Sequence, residues 1–366
     1  MAQAELTLNE ALAAFGFGGP EGNAVRFGEG HINDTFLVTT GEGRRFILQR
    51  VSPVAFHEPK RLMDNVVNVT EYLAREIARQ GGDPKRETLT VVRTRDGETC
   101  FTDSRDNVWR TFLYVEGTVC YQAAETQSLF AASGRAFGRF QRLLRDYPAE
   151  TLYETIPRFH DTANRLQNLK NAVAADPMGR VKDCRTDIDF FLSREGDCSV
   201  ALDALRSGEL PLRVTHNDTK LNNVLMDERT GEALCVIDLD TVMPGLSIND
   251  FGDSIRFGAN HNAEDEPDQS KVNFEIDLFE AYAAAFLAEA GEALTGAEIR
   301  YLPWGAKLMT LECGMRFLTD YLEGDHYFHT SRPGQNLDRA RTQRKLVADM
   351  EGCWDRLNAI VARYLP

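Results

Sequence analysis

Long hydrophobic runs are missing from this chain, although 43% of its 366 residues are hydrophobic. No stretch reaches the roughly 20 consecutive apolar residues that a membrane-spanning helix requires. The first residues, MAQAELTLNEALAAF, also lack a basic segment followed by an apolar one, which is the pattern of a signal peptide. They have instead the pattern of an amphipathic helix. We therefore expect a cytoplasmic protein that does not act at a membrane.

Cysteine pairs at metal-binding spacing and an excess of positive charge are missing as well. The seven cysteines are scattered without a CxxC or CxH pattern, which is typical of reduced thiols and not of a disulfide framework or a zinc site. With 41 lysines and arginines against 56 acidic residues, the net charge of −15 disfavours nucleic acid and anionic membranes as partners. An anionic small molecule would need a metal ion or a few well-placed cations to bind.

What the chain does contain is a change of pattern near residue 115, which predicts two domains, 1–115 and 116–366. The first has strand-like alternation and one helix with apolar residues three and four positions apart. Its strands are predicted at 24–28, 34–40, 44–51, 88–94, 98–102 and 107–115, and its helix at 59–79.

The second domain has helical patterns on both sides of a strand-rich segment at 212–240. Its helices are predicted at about 126–145, 160–175, 186–206, 271–290, 297–322 and 337–364. The two patterns together predict an α+β fold, with a small antiparallel β-sheet lobe that carries one helix and a larger, mainly helical lobe.

The strand-rich segment contains the string HNDTKLNN, followed by a turn and the strand ALCVID. A hairpin centred between positions 230 and 231 would place Asn223 opposite Asp238, beside the loop that contains Asp218. Mg²⁺ prefers oxygen ligands and is held by one or two protein groups together with substrate phosphates. Asn223 and Asp238 are therefore candidate magnesium ligands. Asp218 is a candidate catalytic base, which would accept the proton of an attacking hydroxyl.

His216, two residues before Asp218, allows three interpretations. It could be a general base, a zinc ligand, or a buried residue that holds the loop through ring hydrogen bonds. The third interpretation is favoured. An aspartate five residues before an asparagine is also a common turn pattern, and here the apolar strands on both sides of the string indicate a functional loop.

The pattern HxDxxxxN followed by IDLD resembles the aminoglycoside phosphotransferase and choline kinase superfamily, the small-molecule relatives of protein kinases, over almost the whole chain. The strings GEGHINDTFLV, FILQRV, NDFGDSIRFGA and GMRFLTDYLEGD are similar to those of N-acetylhexosamine 1-kinases. The resemblance implies a two-lobed protein-kinase-like fold with ATP and Mg²⁺ as cofactors. It also implies phosphorylation of the anomeric hydroxyl of N-acetylglucosamine or N-acetylgalactosamine, a small-molecule sugar substrate.

The resemblance assigns Asp218 as the catalytic base that also meets the substrate, and Asn223 and Asp238 as the metal ligands. The resemblance implies a structural role for Asp250. This residue is the first of the string DFG, which in protein kinases contains the metal-binding aspartate. Together with Asp253, Asp250 would organise the catalytic loop.

Nucleotide contacts are implied in three segments. A glycine-rich turn between two strands would place Gly28, Gly30 and Asn33 near the phosphates, and His31 near the sugar. The segment that connects the two domains would offer the backbone of Tyr114 and Val115 to adenine.

The third strand departs from the superfamily pattern because FILQRV has no lysine for the phosphates. Gln49 and Arg50 are both candidates for that position, and adjacent strand residues face opposite sides, so only one of them can face the nucleotide. Glu58 and Glu71 are candidates for the carboxylate partner on the following helix.

The resemblance also implies sugar contacts by Phe257, Arg316 and Tyr327. Two alternatives stay open from the sequence. The acceptor could be another small hydroxylated molecule, such as homoserine, choline, methylthioribose or an aminoglycoside. The chain could also be a non-catalytic, kinase-like nucleotide-binding protein, which the missing strand lysine would favour.

Overall fold

The computed structural model describes residues 2–17, 23–28 and 32–365, with side chains from residue 6 onward. These residues form two compact units. The smaller unit contains the described residues up to Val119 together with Glu150–Ile156 and Leu225–Met243. The larger unit contains Cys120–Ala149, Pro157–Val224 and the described residues from Pro244 onward. No helix in the described ranges is both long and apolar enough to cross a bilayer.

The elements follow one another along the chain with a strand-rich first third. This first part forms α1 (Ala2–Ala14), β1 (Asn23–Arg26), β2 (Asp34–Thr39), β3 (Arg45–Arg50), α2 (Pro59–Arg79), α3 (Pro84–Glu87), β4 (Val91–Val92), β5 (Phe101–Thr102), β6 (Val108–Leu113) and β7 (Thr118–Cys120). The remainder forms α4 (Gln127–Leu143), α5 (Thr162–Ala175), α6 (Arg185–Leu192), α7 (Val200–Arg206), β8 (Arg213–Thr215), β9 (Val224–Asp227), β10 (Ala233–Val236), β11 (Met243–Gly245), α8 (Ser247–Gly258), α9 (Ile276–Ala290), α10 (Gly296–Glu323), α11 (Gln335–Gly352) and α12 (Trp354–Ala362).

The smaller unit is built on an antiparallel sheet of strand order β1-β2-β3-β6-β4, with β5 also paired to β6. Alternating apolar residues of the strands, among them Phe46, Leu48 and Trp109, face a core that α1 closes with Ala11 and Phe15. A second sheet has the order β10-β9-β7. The alternation in the sequence thus predicted the antiparallel sheet.

Helix α2 is the one long helix predicted within this sheet region, and it runs over the predicted residues. Proline at its first position fits a helix start, because the missing N–H would have no partner there. Its apolar residues at three- and four-residue spacing are all buried. They are Leu62, Val66, Val69, Leu73 and Ile77.

The larger unit is organised around α10, a helix of 28 residues that packs against α5, α8 and α11. A capping box of Thr295 and Glu298 begins this helix, and Gly324 in a left-handed conformation ends it. The predicted helices 186–206 and 337–364 are each two helices, separated by a 3₁₀ turn at Glu195–Asp197 and by a break after Gly352. An unbroken apolar period does not reveal such a break.

Glycines set the approach of α8 to α10. A Cβ atom on Gly305 would lie 2.0 Å from the carbonyl oxygen of Ile248, and one on Gly252 would lie 2.2 Å from that of Gly305. Gly252 is the glycine of the string DFG, and Phe251 packs in the core against three aromatic rings. In this chain the string therefore belongs to a buried helix. The α+β class with a sheet unit and a helical unit is confirmed.

Candidate active site

The loop with the string HNDTKLNN lies in the larger unit between β8 and β9. Its first residue, His216, is fully buried, with its ring edge-on to Phe137 and Phe140. Its Nδ1 accepts a hydrogen bond of 3.3 Å from the backbone N–H of Asp218. The geometry agrees with the interpretation of His216 as a residue that holds the loop.

Asp250 on α8 anchors the start of this loop. Its Oδ2 accepts hydrogen bonds from the backbone N–H of His216 at 2.9 Å and from the Gln141 side chain at 2.7 Å. Its Oδ1 accepts from the backbone N–H of Asn217 at 2.8 Å. Burial raises the pKa of Asp250 above its ordinary value, although the donated hydrogen bonds oppose that shift. A carboxylate occupied by three donors acts as a loop anchor.

One turn later on α8, Asp253 and Ser254 hold the next part of the loop. Asp253 accepts from the backbone N–H of Thr219 at 2.9 Å, and the hydroxyl of Ser254 donates to the carbonyl of Thr219 at 2.7 Å. The hydroxyl of Thr219 donates in turn to the carbonyl of Asp250 at 2.5 Å. Asp250 and Asp253 therefore both hydrogen-bond to the candidate catalytic loop, a geometry that agrees with the organising role implied by the resemblance.

Asp218 is held within the loop by two neighbours. Lys220 Nζ lies 2.8 Å from its Oδ1, and Asn223 Nδ2 donates to its Oδ2 at 3.1 Å and to its carbonyl at 2.7 Å. Both partners of the ion pair are partly exposed, 28% for Asp218 and 34% for Lys220. Desolvation would raise the pKa of Asp218, but the charge of Lys220 and the donated hydrogen bonds outweigh it and lower the pKa. Asp218 is thus an ionised, oriented carboxylate.

Lys220 was missed by the sequence reasoning. The signal available was a lysine two residues after the candidate base within an otherwise neutral loop. The carboxylate of Asp218 raises the pKa of this amine well above its ordinary value, in spite of burial. Lys220 therefore carries a charge next to the candidate base at any physiological pH.

The turn of the hairpin that follows is centred one residue earlier than predicted. The backbone N–H of Asp227 donates to the carbonyl of Glu232 and that of Gly231 donates to the carbonyl of Asp227, each at 2.8 Å. Gly231 has a φ of 70°, so two residues face Asp227 in a glycine bulge. The turn is centred between positions 229 and 230, and the counting that set Asn223 opposite Asp238 was wrong.

Asp238 lies in the smaller unit, two residues beyond the end of β10. Its backbone is left-handed, with φ 59° and ψ 57°, and it begins a 3₁₀ turn at Leu239–Thr241. Asparagine and aspartate tolerate this conformation better than most residues, and such residues cluster at functional sites. The position and the backbone leave the assignment of Asp238 as a metal ligand a prediction.

Asp240 in the same turn joins two elements of the sheet unit. Its Oδ1 lies 2.5 Å from Arg110 Nη1 on β6, and its Oδ2 accepts from the Asn33 side chain at 2.6 Å. Asn33 Oδ1 accepts in turn from the backbone N–H of Ser52 at 2.9 Å. Asn33, predicted near the nucleotide, therefore connects the glycine-rich segment to this turn.

The glycine-rich segment itself is described only in part. Gly28 has a φ of 77°, whereas Gly30 and His31, which were predicted near the phosphates and the sugar, lie outside the described residues.

Arg110 is a buried cation of the smaller unit, with 1% of its side chain exposed. It was missed, although an arginine inside the apolar string VWRTFLYV was a visible signal. Gln49 is its register partner on β3 and accepts from Arg110 Nε at 3.0 Å. Gln49 also donates to Thr35 at 3.0 Å.

Arg50, next to Gln49 on β3, lies on the opposite face of the sheet. It forms an ion pair with Asp34, which is also paired with Arg26. Burial would raise the pKa of Asp34, but these two guanidinium groups lower it. Glu58 and Glu71 were the candidate carboxylate partners for this strand. Both form exposed ion pairs with other residues, Glu58 with Arg61 and Glu71 with Arg93. Within the described residues neither glutamate contacts Gln49 or Arg50.

The predicted adenine segment follows directly after β6. The backbone N–H of Tyr114 donates to the carbonyl of Arg45 at 3.2 Å, and the Arg45 guanidinium lies 4.2 Å from the centre of the Tyr114 ring. Val115 is buried and its carbonyl accepts from the hydroxyl of Thr118 at 2.9 Å. Adenine binding by this segment stays a prediction.

Two of the three predicted sugar contacts come together in the larger unit. Arg316 Nη2 lies 3.4 Å from the hydroxyl of Tyr327, and its guanidinium lies 5.6 Å from the centre of that ring. Tyr327 is 72% exposed, which is unusual for a large aromatic side chain. Phe257 is half-buried on α8. Since core packing does not account for Tyr327, its ring is available to a ligand.

Comparison with known proteins gives a consistent assignment. The model of the phosphotransferase enzyme family (APH) matches residues 23–297. Among solved structures, the chain is similar to an amicoumacin kinase in complex with AMP-PNP, Ca²⁺ and its ligand, with 15% identity over 94% of this chain and 93% of that one and a TM-score of 0.63. It is also similar to a choline/ethanolamine kinase family protein from Mesorhizobium loti, with 19% identity over 99% and 100% and a TM-score of 0.56.

A third similar structure is a microcompartment-associated aminopropanol kinase, with 18% identity over 97% of this chain and 98% of that chain and a TM-score of 0.59. At these identities the likeness concerns the fold. The three structures share the two-part architecture over nearly their whole length, so the fold expected from the catalytic-loop pattern is supported independently of that pattern.

Proposed function

The chain belongs to the phosphotransferase enzyme family, and we propose that it transfers the γ-phosphoryl group of ATP to the anomeric hydroxyl of an N-acetylhexosamine. The observation that carries this proposal is the arrangement of Asp218 between Lys220 and Asn223 on a loop anchored by Asp250. A carboxylate oriented in this way is what a hydroxyl nucleophile requires in phosphoryl transfer.

The lowered pKa of Asp218 fits an orienting role. A carboxylate with a lowered pKa is a weak base, but in a loose transition state little proton transfer is needed before the phosphoryl group has left ADP. Asp218 therefore orients the acceptor hydroxyl first and takes its proton late. Lys220, beside it, can move its charge from Asp218 toward the transferred phosphoryl oxygens as they approach.

The side-chain chemistry of Asn223 and Asp238 suits a magnesium ion. Asn223 uses its Nδ2 on Asp218, so its Oδ1 is the atom left to face a cation. Asp238 supplies a carboxylate, and two protein groups of this kind suit an ion that takes its other ligands from water and substrate phosphates. Mg²⁺ when bound would neutralise charge on the phosphates. Asn223 and Asp238 would hold it.

An N-acetylhexosamine is supported as the acceptor by two kinds of observation. The strings around Phe257, Arg316 and Tyr327 are similar to those of N-acetylhexosamine 1-kinases. The exposed Tyr327 ring, fixed beside the Arg316 guanidinium, offers an apolar face for a pyranose and donors for its oxygens. An acceptor of another kind, such as an amino alcohol or an aminoglycoside, is the alternative, since kinases of aminopropanol and choline or ethanolamine are among the similar structures.

A substrate panel tests this proposal. The protein is incubated with ATP and Mg²⁺ and one acceptor at a time: N-acetylglucosamine, N-acetylgalactosamine, galactose, homoserine, choline or 1-amino-2-propanol. ³¹P and ¹³C NMR spectra of the product then identify the phosphorylated carbon. An N-acetylhexosamine 1-phosphate supports the proposal, and turnover of only galactose or only an amino alcohol would refute the N-acetylhexosamine assignment.

The variant Asp218→Asn separates catalysis from binding. It removes the carboxylate and keeps the size and the hydrogen bond to Asn223. We expect turnover to fall by about three orders of magnitude or more, since orientation and electrostatic stabilisation supply most of the rate. ATP affinity, measured by calorimetry, should be retained. Near-normal turnover of this variant would remove Asp218 from the mechanism.

A further inference from the structure

His160 lies just before α5 in the larger unit and connects the catalytic loop to α10. Its Nδ1 is 3.0 Å from Glu312 Oε1, and its Nε2 is 3.3 Å from the backbone carbonyl oxygen of Asn217. The side chains of His160 and Glu312 are 11% and 3% exposed. Each ring nitrogen thus faces an oxygen in a site with little room for water.

The hydrogen-bond acceptors around His160 indicate how many protons its ring carries. A backbone carbonyl can only accept a hydrogen bond, so Nε2 must carry a proton. An ionised Glu312 can also only accept, and its second oxygen already accepts from the hydroxyl of Thr162 at 3.2 Å. A neutral imidazole would direct its lone pair at one of these oxygens. With Glu312 ionised, both contacts are satisfied only when the ring carries two protons, whereas a protonated Glu312 would donate to Nδ1 of a singly protonated ring.

We propose that His160 is an imidazolium that positions the catalytic loop by holding the carbonyl of Asn217, the residue before Asp218. This inference rests on the proposed function, because it assigns a role in presenting Asp218. Asn217 has a left-handed backbone with φ 65°. Its N–H is held by Asp250 at 2.8 Å and its carbonyl by His160, so both of its polar backbone groups are fixed.

The surrounding charges support a doubly protonated ring. Burial would lower the pKa of His160, but the carboxylate of Glu312 outweighs burial and the pKa is raised. Asp253 on α8 acts in the same direction, and Arg316 on α10 acts against it. A displacement of about 1 Å in a reacting group can cost about a hundredfold in rate. Holding the peptide that precedes Asp218 is therefore a way to position the base.

NMR of the wild-type protein labelled with ¹⁵N-histidine tests the protonation state directly. The seven histidines are few enough to assign, and the variant His160→Gln identifies the signal of interest. We expect both ring nitrogens of His160 to keep the shifts of a protonated ring above pH 7. In Glu312→Gln the second acceptor is a neutral amide, and the ring should become neutral near pH 7. A neutral ring in the wild type at pH 7 would overturn the proposal.

Kinetics tests the positioning role. In His160→Gln we expect kcat to fall by about ten- to a hundredfold, with the KM for ATP within about twofold. The fall of wild-type activity at alkaline pH, which follows loss of the ring proton, should be absent. The matched control His57→Gln changes an exposed histidine and should leave kcat and the pH profile unchanged. An unchanged kcat and pH profile in His160→Gln would refute the role.

These experiments distinguish the two proposals. If the wild-type protein phosphorylates no acceptor, the proposed function fails, whereas the NMR measurement still decides whether His160 is an imidazolium. If the protein is active and the ring is neutral, only the inference about His160 fails. Should His160→Gln fold poorly, the histidine signal that changes between the wild type and Glu312→Gln is assigned to His160, and its shifts in the wild type decide the protonation state.

Discussion

The substitution Asp250→Asn would separate a loop anchor from a metal ligand, because the two roles predict opposite effects on stability and on magnesium binding. Asp250 accepts three hydrogen bonds in a fully buried site. An asparagine can keep an oxygen at only one of the two carboxylate positions. If it keeps the two bonds made by Oδ2, the backbone N–H of Asn217 loses its acceptor and meets an NH₂ group.

The expected change in the free energy of unfolding follows from the loss of this one hydrogen bond. A buried donor left without an acceptor costs about 1–3 kcal/mol. The charge itself adds little to the loss, because burial raises the pKa of Asp250 and the ionised form is thus less favourable in the folded protein than in the unfolded chain. We therefore expect the free energy of unfolding to fall by about 1–3 kcal/mol. Since Asn217 precedes Asp218, kcat should also fall by about a hundredfold.

The assay combines urea unfolding with a magnesium titration. For Asp250→Asn we expect reduced stability with an unchanged Mg²⁺ concentration at half-maximal rate. For Asp238→Asn we expect nearly unchanged stability and a higher Mg²⁺ requirement. Asp189→Asn, an exposed residue on α6, serves as a control and should change neither property. Full stability of Asp250→Asn together with a raised Mg²⁺ requirement would refute the reasoning, because Asp250 would then be the metal ligand.

Two further substitutions test the cations beside these carboxylates. In Lys220→Met the pKa of Asp218 should rise, because the charge of Lys220 opposes its desolvation, so activity should be lost at a higher pH as the solution is acidified. kcat at neutral pH should fall by about 10²-fold, and an unchanged pH–rate profile would contradict this. Arg110→Met leaves the buried carboxylate of Asp240 without its cation and should cost about 3–5 kcal/mol of stability in urea unfolding. Arg45→Met, at a partly exposed ion pair with Glu116, should cost far less, and equal losses would contradict a special role for Arg110.

The features that could be predicted from the sequence are those encoded within one short segment. The spacing from Asp218 to Asn223 lies inside one loop, and the period of α2 lies inside one helix, so local patterns were sufficient for both. The centre of the following hairpin was wrong by one residue because Gly231 forms a bulge in which two residues face one. Counting from a symmetric turn cannot anticipate that bulge.

The contacts that hold the candidate catalytic loop could be predicted only in part, because the resemblance implied the organising role of Asp250 and Asp253 but gave no sign of His160 and Glu312. Asp250 and Glu312 lie on two helices that follow the loop at increasing distance along the chain, and His160 precedes it. Each is an ordinary polar residue in its own segment. Only the packing of α8 against α10, which Gly252 and Gly305 bring close together, places such groups around one peptide. Contacts between distant segments depend on tertiary packing, which periodicity does not report.

The cation expected on the strand FILQRV illustrates the same limit. Gln49 stands at the expected position and hydrogen-bonds to Arg110, so the positive charge lies on the neighbouring strand. There it pairs with Asp240, two residues after Asp238, in the turn that Asn33 also reaches. Because this cation is buried and already paired, its loss would displace that turn. The strand without a lysine is thus flanked by a buried ion pair beside the candidate metal ligand, and the substrate panel decides between catalysis and nucleotide binding alone.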